Sequence, residues 1–258
     1  MKLTEGLFGW VDLMSTDTGA ARDFYTKLFG WTADDVPTPV GVPYTQFYNA
    51  GALVAGMAPV PPNLGQMPSV WNSYVITADV DGAAERAVAA GGKVVMPVMD
   101  IMTQGRMGMF ADPSGAVVGA WQPNEHQGAD VFNVPCSLTW NELQTRDLAA
   151  ALPFYADVFG FVWQDGPTPD YKIGTLPDKP GEDKSNCGAM SMPPDVPEGV
   201  PSFWMVYFAV EDCAAAMEAA VELGGSVLFP AMEMGPGTFG GLTDPTGAAF
   251  AVGSFPSQ

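Results

Sequence analysis

Histidine occurs once in the 258 residues, at His126, and cysteine three times, at Cys136, Cys187 and Cys213. One histidine rules out a two-His-one-carboxylate iron site, or a His-based zinc or nickel site, within one subunit. It also leaves a Ser-His-Asp triad with His126 alone, in a Pro-, Asn-, Gln- and Gly-rich stretch that is a poor setting for a buried base. An odd number of scattered cysteines argues for reduced thiols, neither a disulfide framework nor a zinc site. Cys187, beside Gly188, reads better as a small buried residue than as a reactive thiol. Basic residues are scarce, 10 against 29 acidic ones, for a net charge of −19. Such a surface repels phosphate backbones and anionic lipid, so neither nucleic acid nor a membrane is an expected partner, and solubility is the plain reading of the acidity. No apolar run approaches the roughly 18 residues of a membrane span. Met1–Trp10 carries one Lys and no apolar stretch of the signal-peptide kind, so the expected location is the cytoplasm.

What the chain does have is a repeat. Trp10–Gly30 and Trp140–Gly160 both fit Trp-x-Asp/Glu-Leu-x-Ser/Thr-x-Asp-x-x-Ala-Ala-x-x-Phe-Tyr-x-x-x-Phe-Gly. A period of this length means two copies of one domain. The expected division is a first domain over 1–123, a linker over 124–135 rich in Pro, Asn, Gln and Gly, and a second domain over 136–258.

Each half reads as two β-α-β-β-β modules. Gly9–Met14 alternates like a strand, with Trp10, Asp12 and Met14 on one face. Asp17 can cap the next helix, Ala20, Ala21, Phe24 and Leu28 recur at helical spacing, and Gly30 stops it. Strands follow around Tyr44–Asn49 and Ala52–Ala58, then a Pro-rich connection from Pro59 to Pro68. The second module has a strand over Trp71–Thr77, a helix over Asp79–Ala90 closed by Gly91-Gly92, and strands near Lys93–Met96, Arg106–Phe110 and Ala116–Trp121. Asp112-Pro113-Ser114-Gly115 makes the turn before the last strand. Pro201–Trp204, Gly224-Gly225 and Asp244-Pro245-Thr246-Gly247 repeat these stations. The run from Gly235 to Gly240 matches Gly-x-Gly-x-x-Gly, but a strand and a turn follow it instead of a helix, so it reads as a rim loop and not as a dinucleotide site.

Leu13, Asp17, Phe24-Tyr25, Phe29-Gly30, the Gly91-Gly92 helix exit and the Asp112-Pro113-x-Gly115 turn, with their repeats, resemble the vicinal oxygen chelate family, also called the glyoxalase / bleomycin-resistance / extradiol-dioxygenase superfamily. The resemblance spans nearly the whole chain. It implies an α+β fold in which four βαβββ modules pair into two tandem vicinal-oxygen-chelate domains, each a curled mixed sheet around a cavity with helices on the convex face. It is similar in particular to two-domain, hydroxylase-like proteins of actinobacterial secondary metabolism. The family's metal enzymes place a His seven residues before the first helix-capping Asp, which here falls on Trp10 and Trp140. They place a Glu seven residues after the turn Asp, which falls on Gly119 and Ala251. The third ligand falls near Trp71–Ser73 and Trp204–Val206, where neither His nor carboxylate stands. The resemblance therefore does not carry over glyoxalase or ring-cleaving activity. No metal and no cofactor is expected, although a site of carboxylates alone is not excluded.

A His-to-Trp exchange offers an indole wall in place of a metal. Asp12 and Glu142, two residues along the same strands, share its face. These two are the candidate acid–base residues. The candidate ligand-binding residues are Trp10, Tyr44, Tyr48, Met57, Trp71, Met107 and Trp121 in the first half, and Trp140, Tyr171, Met190, Trp204 and Phe239 in the second. A cavity so lined suits a planar, mostly apolar molecule with a hydroxyl or amine. Three functions fit: a metal-free protein that binds a small hydrophobic or aromatic compound, an acid–base or hydroxylase-like enzyme acting on one without metal, and an interaction protein whose cavities are filled. A monomer or a homodimer is expected, because tandem duplication supplies a pairing that single-domain chains obtain by dimerising.

Overall fold

The computed structural model describes residues 4–62, 67–194, 196–235 and 237–255. Four helices are present among them, each opened by an Asp that caps it. Asp17 opens α1 (Thr18–Phe29), Asp79 opens α2 (Val80–Ala89), Asp147 opens α3 (Leu148–Phe159) and Asp212 opens α4 (Cys213–Glu222). Each carboxylate accepts the backbone N–H three residues on, which satisfies one of the donors a helix start leaves open. Gly30 and Gly160 end α1 and α3 at φ 67° and 74°, the left-handed stop read from the repeat.

The strands of the first half are β1 (Phe8–Ser15), β2 (Thr32–Val36), β3 (Tyr44–Asn49), β4 (Ala52–Pro59), β5 (Val70–Ile76), β6 (Lys93–Ile101), β7 (Gly105–Ala111) and β8 (Val117–Pro123). They order as β2-β3-β4-β1-β5-β8-β7-β6. The second half repeats this with β9 (Leu138–Thr145), β10 (Val162–Asp165), β11 (Tyr171–Thr175), β12 (Ser185–Ser191), β13 (Phe203–Ala209), β14 (Ser226–Met234), β15 (Gly237–Thr243) and β16 (Ala249–Ser254). Their order is β10-β11-β12-β9-β13-β16-β15-β14. Both sheets are mixed: β1 with β4 and β5 with β8 run parallel, while the hairpins β3/β4 and β7/β8 run antiparallel. Helices and mixed sheets in this arrangement make an α+β fold, as the resemblance implies, and among the described residues the sheets have open edges and form no closed barrel.

Two elements differ from the pattern read along the chain. The edge strand β2, Thr-Ala-Asp-Asp-Val, has no apolar alternation to announce it, because most of it faces water. The Gly-rich run is not a rim loop where it is described: Gly237 to Gly240 belong to β15, paired with β14 and β16, while Pro236 and residues 63–66 of the Pro-rich connection lie outside the described residues.

The contacts gather the chain into two compact units. One holds Ser73–Gly128 and Trp140–Trp204 with the start of β1, and the other holds Val11–Asn72, Ala129–Thr139 and the chain from Met205 onward. Each unit thus joins one module of the first half to one of the second. The first unit has its core at Phe110, Phe154, Tyr155, Phe161 and Trp204, and the second at Phe24, Tyr25, Trp31, Phe47, Phe208 and Phe250. Among the described residues no helix is long and apolar enough to cross a membrane.

A buried polar tie sits in each core. In the second unit the Tyr25 hydroxyl donates to Asp244 Oδ2 at 3.1 Å and accepts the Trp71 indole N–H at 2.8 Å. Asp244 Oδ1 accepts from the backbone of Thr246 and Ala248, so the same carboxylate also closes the Asp-Pro-Thr-Gly turn. In the first unit Tyr155 donates to Asp112 Oδ2 at 2.9 Å and accepts the Trp204 N–H at 2.8 Å. Asp112 Oδ1 likewise accepts from Ser114 and Ala116. Burial and the adjacent carboxylate push both phenols well above the ordinary tyrosine range. The folded state therefore keeps protons that the unfolded chain releases above about pH 10. The stability this contributes is complete below that pH and declines as pH rises toward the folded value, by about 1.4 kcal/mol per pH unit per tyrosine.

Two outcomes follow from these ties. Tyr25→Phe and Tyr155→Phe each leave a buried carboxylate oxygen and an indole N–H short of a partner, and each should cost about 1–3 kcal/mol in urea unfolding. Wild-type stability should fall steeply above pH 10, and the Phe variants should show a shallower alkaline slope. Equal slopes would show that these phenols do not govern alkaline unfolding.

Candidate functional site

The two acids of the repeated strand each meet a tyrosine across a glycine. Asp12 on β1 pairs in register with Gly56 on β4, and Tyr44 opens the neighbouring strand β3. A side chain at Gly56 would fall on the Tyr44 hydroxyl, so the glycine is what lets the phenol lie across β4. Tyr44 then donates to Asp12 Oδ2 at 3.3 Å, and Asn72 Nδ2 on β5 donates to Asp12 Oδ1 at 3.0 Å.

The second copy has the same plan with different chemistry. Glu142 on β9 pairs with Gly188 on β12, and Tyr171 opens β11. A side chain at Gly188 would meet the Tyr171 hydroxyl and the Trp140 indole nitrogen. Trp140 donates to the Tyr171 hydroxyl at 3.1 Å, and Tyr171 in turn donates to Glu142. Gln144 Nε2 approaches Glu142 Oε1 at 3.4 Å. Burial, then the Glu142 charge, raise the Tyr171 phenol well above its ordinary range, with the Trp140 N–H pulling the other way. Tyr171 is thereby held as a neutral donor over a buried carboxylate. Trp140 is half-buried.

The leading tryptophan of the first copy is placed differently. Trp10 is 3% exposed, and the His126 ring packs edge-on against it at 4.4 Å between centroids. Trp121 lies 5.5 Å from the same imidazole and donates its indole N–H to the His126 carbonyl at 2.9 Å. The histidine expected in a passive linker thus joins Trp10 and Trp121 of the proposed aromatic wall. Trp121 lies five residues before His126, but the contact with Trp10 joins segments far apart in the chain and left no local mark.

The remaining candidates differ in burial and partners. Trp71 and Trp204, expected on the ligand wall, are in the core with their N–H groups on Tyr25 and Tyr155. Met57 is 1% exposed within the core of the second unit. Tyr48 donates to Gln46 on its own strand and sits beside Asp34 and Asp130, its phenol raised by burial and those charges. Met107 is half-buried and in register with Trp121, Met190 is half-buried opposite Tyr171, and Phe239 packs edge-on against Tyr207 at 6.0 Å. Two surface clefts of about 280 and 470 Å³, lined by residues such as Arg106 and Asn124 or Thr168 and Lys172, include neither Trp10 nor Trp140.

The positions counted for the family's metal ligands do not present donors. Gly119 is in register with Tyr74, and a side chain there would run into the Tyr74 ring. Ser73 spends its hydroxyl on Asn141 Oδ1 at 2.6 Å. Ala251 is fully buried. Among the described residues no group of three or more His, Cys, Asp or Glu is placed to hold a metal ion. The donor set does not fit the group that the fold implies.

The model of the Glyoxalase/Bleomycin resistance protein/Dioxygenase superfamily matches residues 7–119 and again 137–252. The protein CFP32 of Mycobacterium bovis, whose name carries the word glyoxylase, is 41% identical over 96% of this chain and 94% of its own. The anthracycline biosynthesis protein DnrV of Streptomyces peucetius is 39% identical over 97% of this chain and 94% of its own. Among solved structures, the Mn(II)-bound glyoxalase of Novosphingobium aromaticivorans superposes with a TM-score of 0.66 at 17% identity, covering 98% of this chain and 83% of that one. At that identity the likeness is one of fold.

The glycines under the tyrosines give a direct test of the geometry. Gly188→Ala places a methyl group where the Tyr171 hydroxyl sits, and Gly56→Ala does the same to Tyr44. Each should lose about 1–3 kcal/mol of stability in urea unfolding, the usual cost of overpacking. A loss under about 0.5 kcal/mol in both would mean that the phenols do not cross those strands.

Proposed function

The chain belongs to the glyoxalase/bleomycin resistance protein/dioxygenase superfamily, and from that premise we propose that it is a metal-independent member that binds a planar, hydroxylated aromatic compound of secondary metabolism. The observation that carries the proposal is the make-up of the metal positions: Trp10 backed by His126, and Gly119 lying under Tyr74. Aromatic rings stand where ligating side chains would be needed. An apolar, aromatic lining with a few placed polar groups is the composition that suits a flat ring system carrying hydroxyls or carbonyls. In the second half, the half-buried Trp140 donates its indole N–H to the Tyr171–Glu142 pair. The anthracycline biosynthesis relative supports a compound of secondary metabolism.

A second reading is that the same site performs acid–base chemistry without metal. The buried Glu142 and its tyrosine favour it, because a carboxylate coupled to a phenol in a desolvated setting can relay a proton to or from a ligand hydroxyl. On this reading Glu142 is the proton acceptor, Tyr171 the donor, and Asp12 with Tyr44 the corresponding pair in the first half.

Titration with a dihydroxyanthraquinone should quench tryptophan fluorescence with a Kd of about 1–100 μM, unchanged after exhaustive chelation. Metal analysis of purified protein should find well under half an equivalent of transition metal. Absence of quenching, or affinity lost with chelation, would overturn the proposal. If the protein turns such a compound over, Glu142→Gln and Asp12→Asn should each cut kcat by about a hundredfold. Full turnover in both variants would leave binding alone.

A further inference from the structure

The turn between β10 and β11 forms the larger of the two clefts, and the two copies of the repeat use this turn differently. Pro37-Thr38-Pro39 recurs 130 residues on as Pro167-Thr168-Pro169, and Asp35 recurs as Asp165. In the first copy both polar groups are spent. Asp35 is held by Arg22 of α1 and accepts the Thr45 hydroxyl at 2.8 Å, while Thr38 Oγ1 donates to the Val42 carbonyl at 2.5 Å. In the second copy Leu152 stands at the place of Arg22. Lys172 faces Asp165 across the strands as Thr45 faces Asp35. The second turn is also shorter, with Asp170 alone between Pro169 and Tyr171. It closes on its own backbone: Gly166 N–H donates to the Tyr171 carbonyl at 2.9 Å, and Tyr171 N–H to the Thr168 carbonyl at 3.1 Å. Thr168 is exposed, and among the described residues its hydroxyl is not taken up as that of Thr38 is.

Asp165, Gly166, Pro167, Thr168, Pro169 and Lys172 line the cleft, whose volume of about 470 Å³ is that of a small-molecule site. Lys172 Nζ donates to Asp165 Oδ1 at 2.6 Å, and this bond and the lysine charge hold the Asp165 carboxyl below the usual carboxylate range. The two partners are held unequally: the Lys172 side chain is 25% exposed and that of Asp165 is 89% exposed. An ammonium has three N–H donors, of which Asp165 takes one. A pair with so solvated a partner is weak, so an arriving anion can share the ammonium or take it over. An arriving cation would instead have to dislodge a lysine that is largely covered. Asp170, the other charge of the turn, is exposed and does not line the cleft.

We propose that this cleft binds a small organic acid, whose carboxylate meets the Lys172 ammonium and the Thr168 hydroxyl while its apolar body lies against Pro167 and Pro169. Successive residues of a strand point to opposite faces, so Lys172 and its neighbour Tyr171 serve different sites. The cleft therefore goes beyond the aromatic site proposed above and does not depend on it.

In isotope-labelled full-length protein at low salt, the amide resonances of Gly166, Thr168 and Lys172 are followed while naphthalene-2-carboxylate is added. They should shift saturably with a Kd of about 0.1–1 mM. The uncharged naphthalene-2-carboxamide should bind at least about tenfold more weakly, and Lys172→Met should weaken the carboxylate by about the same factor. Asp165→Asn removes the built-in competitor and should tighten binding about threefold, a gain that no loss of folding can imitate. Unmoved resonances, equal affinity for acid and amide, or an Asp165→Asn variant that binds no tighter than wild type would overturn the site. Quenching by the dihydroxyanthraquinone is a separate readout, so failure of one site is distinguished from failure of the other.

Discussion

A phenol from one half of the chain and a carboxylate from the other hold each unit of this protein together. Tyr25 reaches Asp244 and Tyr155 reaches Asp112, in each case inside an apolar core and with an indole N–H completing the tyrosine. The same carboxylates cap their own turns through the other oxygen. One buried charge is thus shared between a turn and a helix that lie far apart in sequence. A buried carboxylate is costly unless its lone pairs are engaged, and here four donors engage each one. That demand fixes which helix can dock against which turn.

The consequence for function is that the repeated segment does two jobs on two faces. Its helix face, with Phe24-Tyr25 and Phe154-Tyr155, is spent on the core. Its strand face carries Trp10 and Asp12, or Trp140 and Glu142. Gly56 and Gly188 let a tyrosine from two strands away lie across to those acids, because a strand glycine removes the side chain that would stand between them. The acids are equivalent in position but not in surroundings: Asp12 takes an amide from Asn72, whereas Glu142 lies at the end of a Trp140–Tyr171 relay. The repeat gives both acids one frame, and the residues around it differ.

Much of this was legible from residue order. The capping aspartates, the glycine stops and the two modules per half follow from local chemistry, since a cap or a stop acts within a few residues, while the metal positions were placed by the resemblance to the family. Strand β2 was less legible, because an edge strand with two acids has no buried face to impose alternation. Trp71 and Trp204 looked like cavity walls because tryptophan at the start of a strand carries no mark of which face it packs on. Only the tyrosine that accepts its N–H decides that.

Sequence alone determined the repeat, the α+β module order and the lack of a His-based metal set, because each rests on counting and on short-range backbone preference. Tertiary structure alone decided that the units pair modules from opposite halves, that Tyr44 and Tyr171 serve the two acids, and that the His126 ring packs on Trp10. Those facts rest on hydrogen bonds and ring contacts between strands far apart in the chain, and no local pattern encodes which distant donor will meet which acceptor.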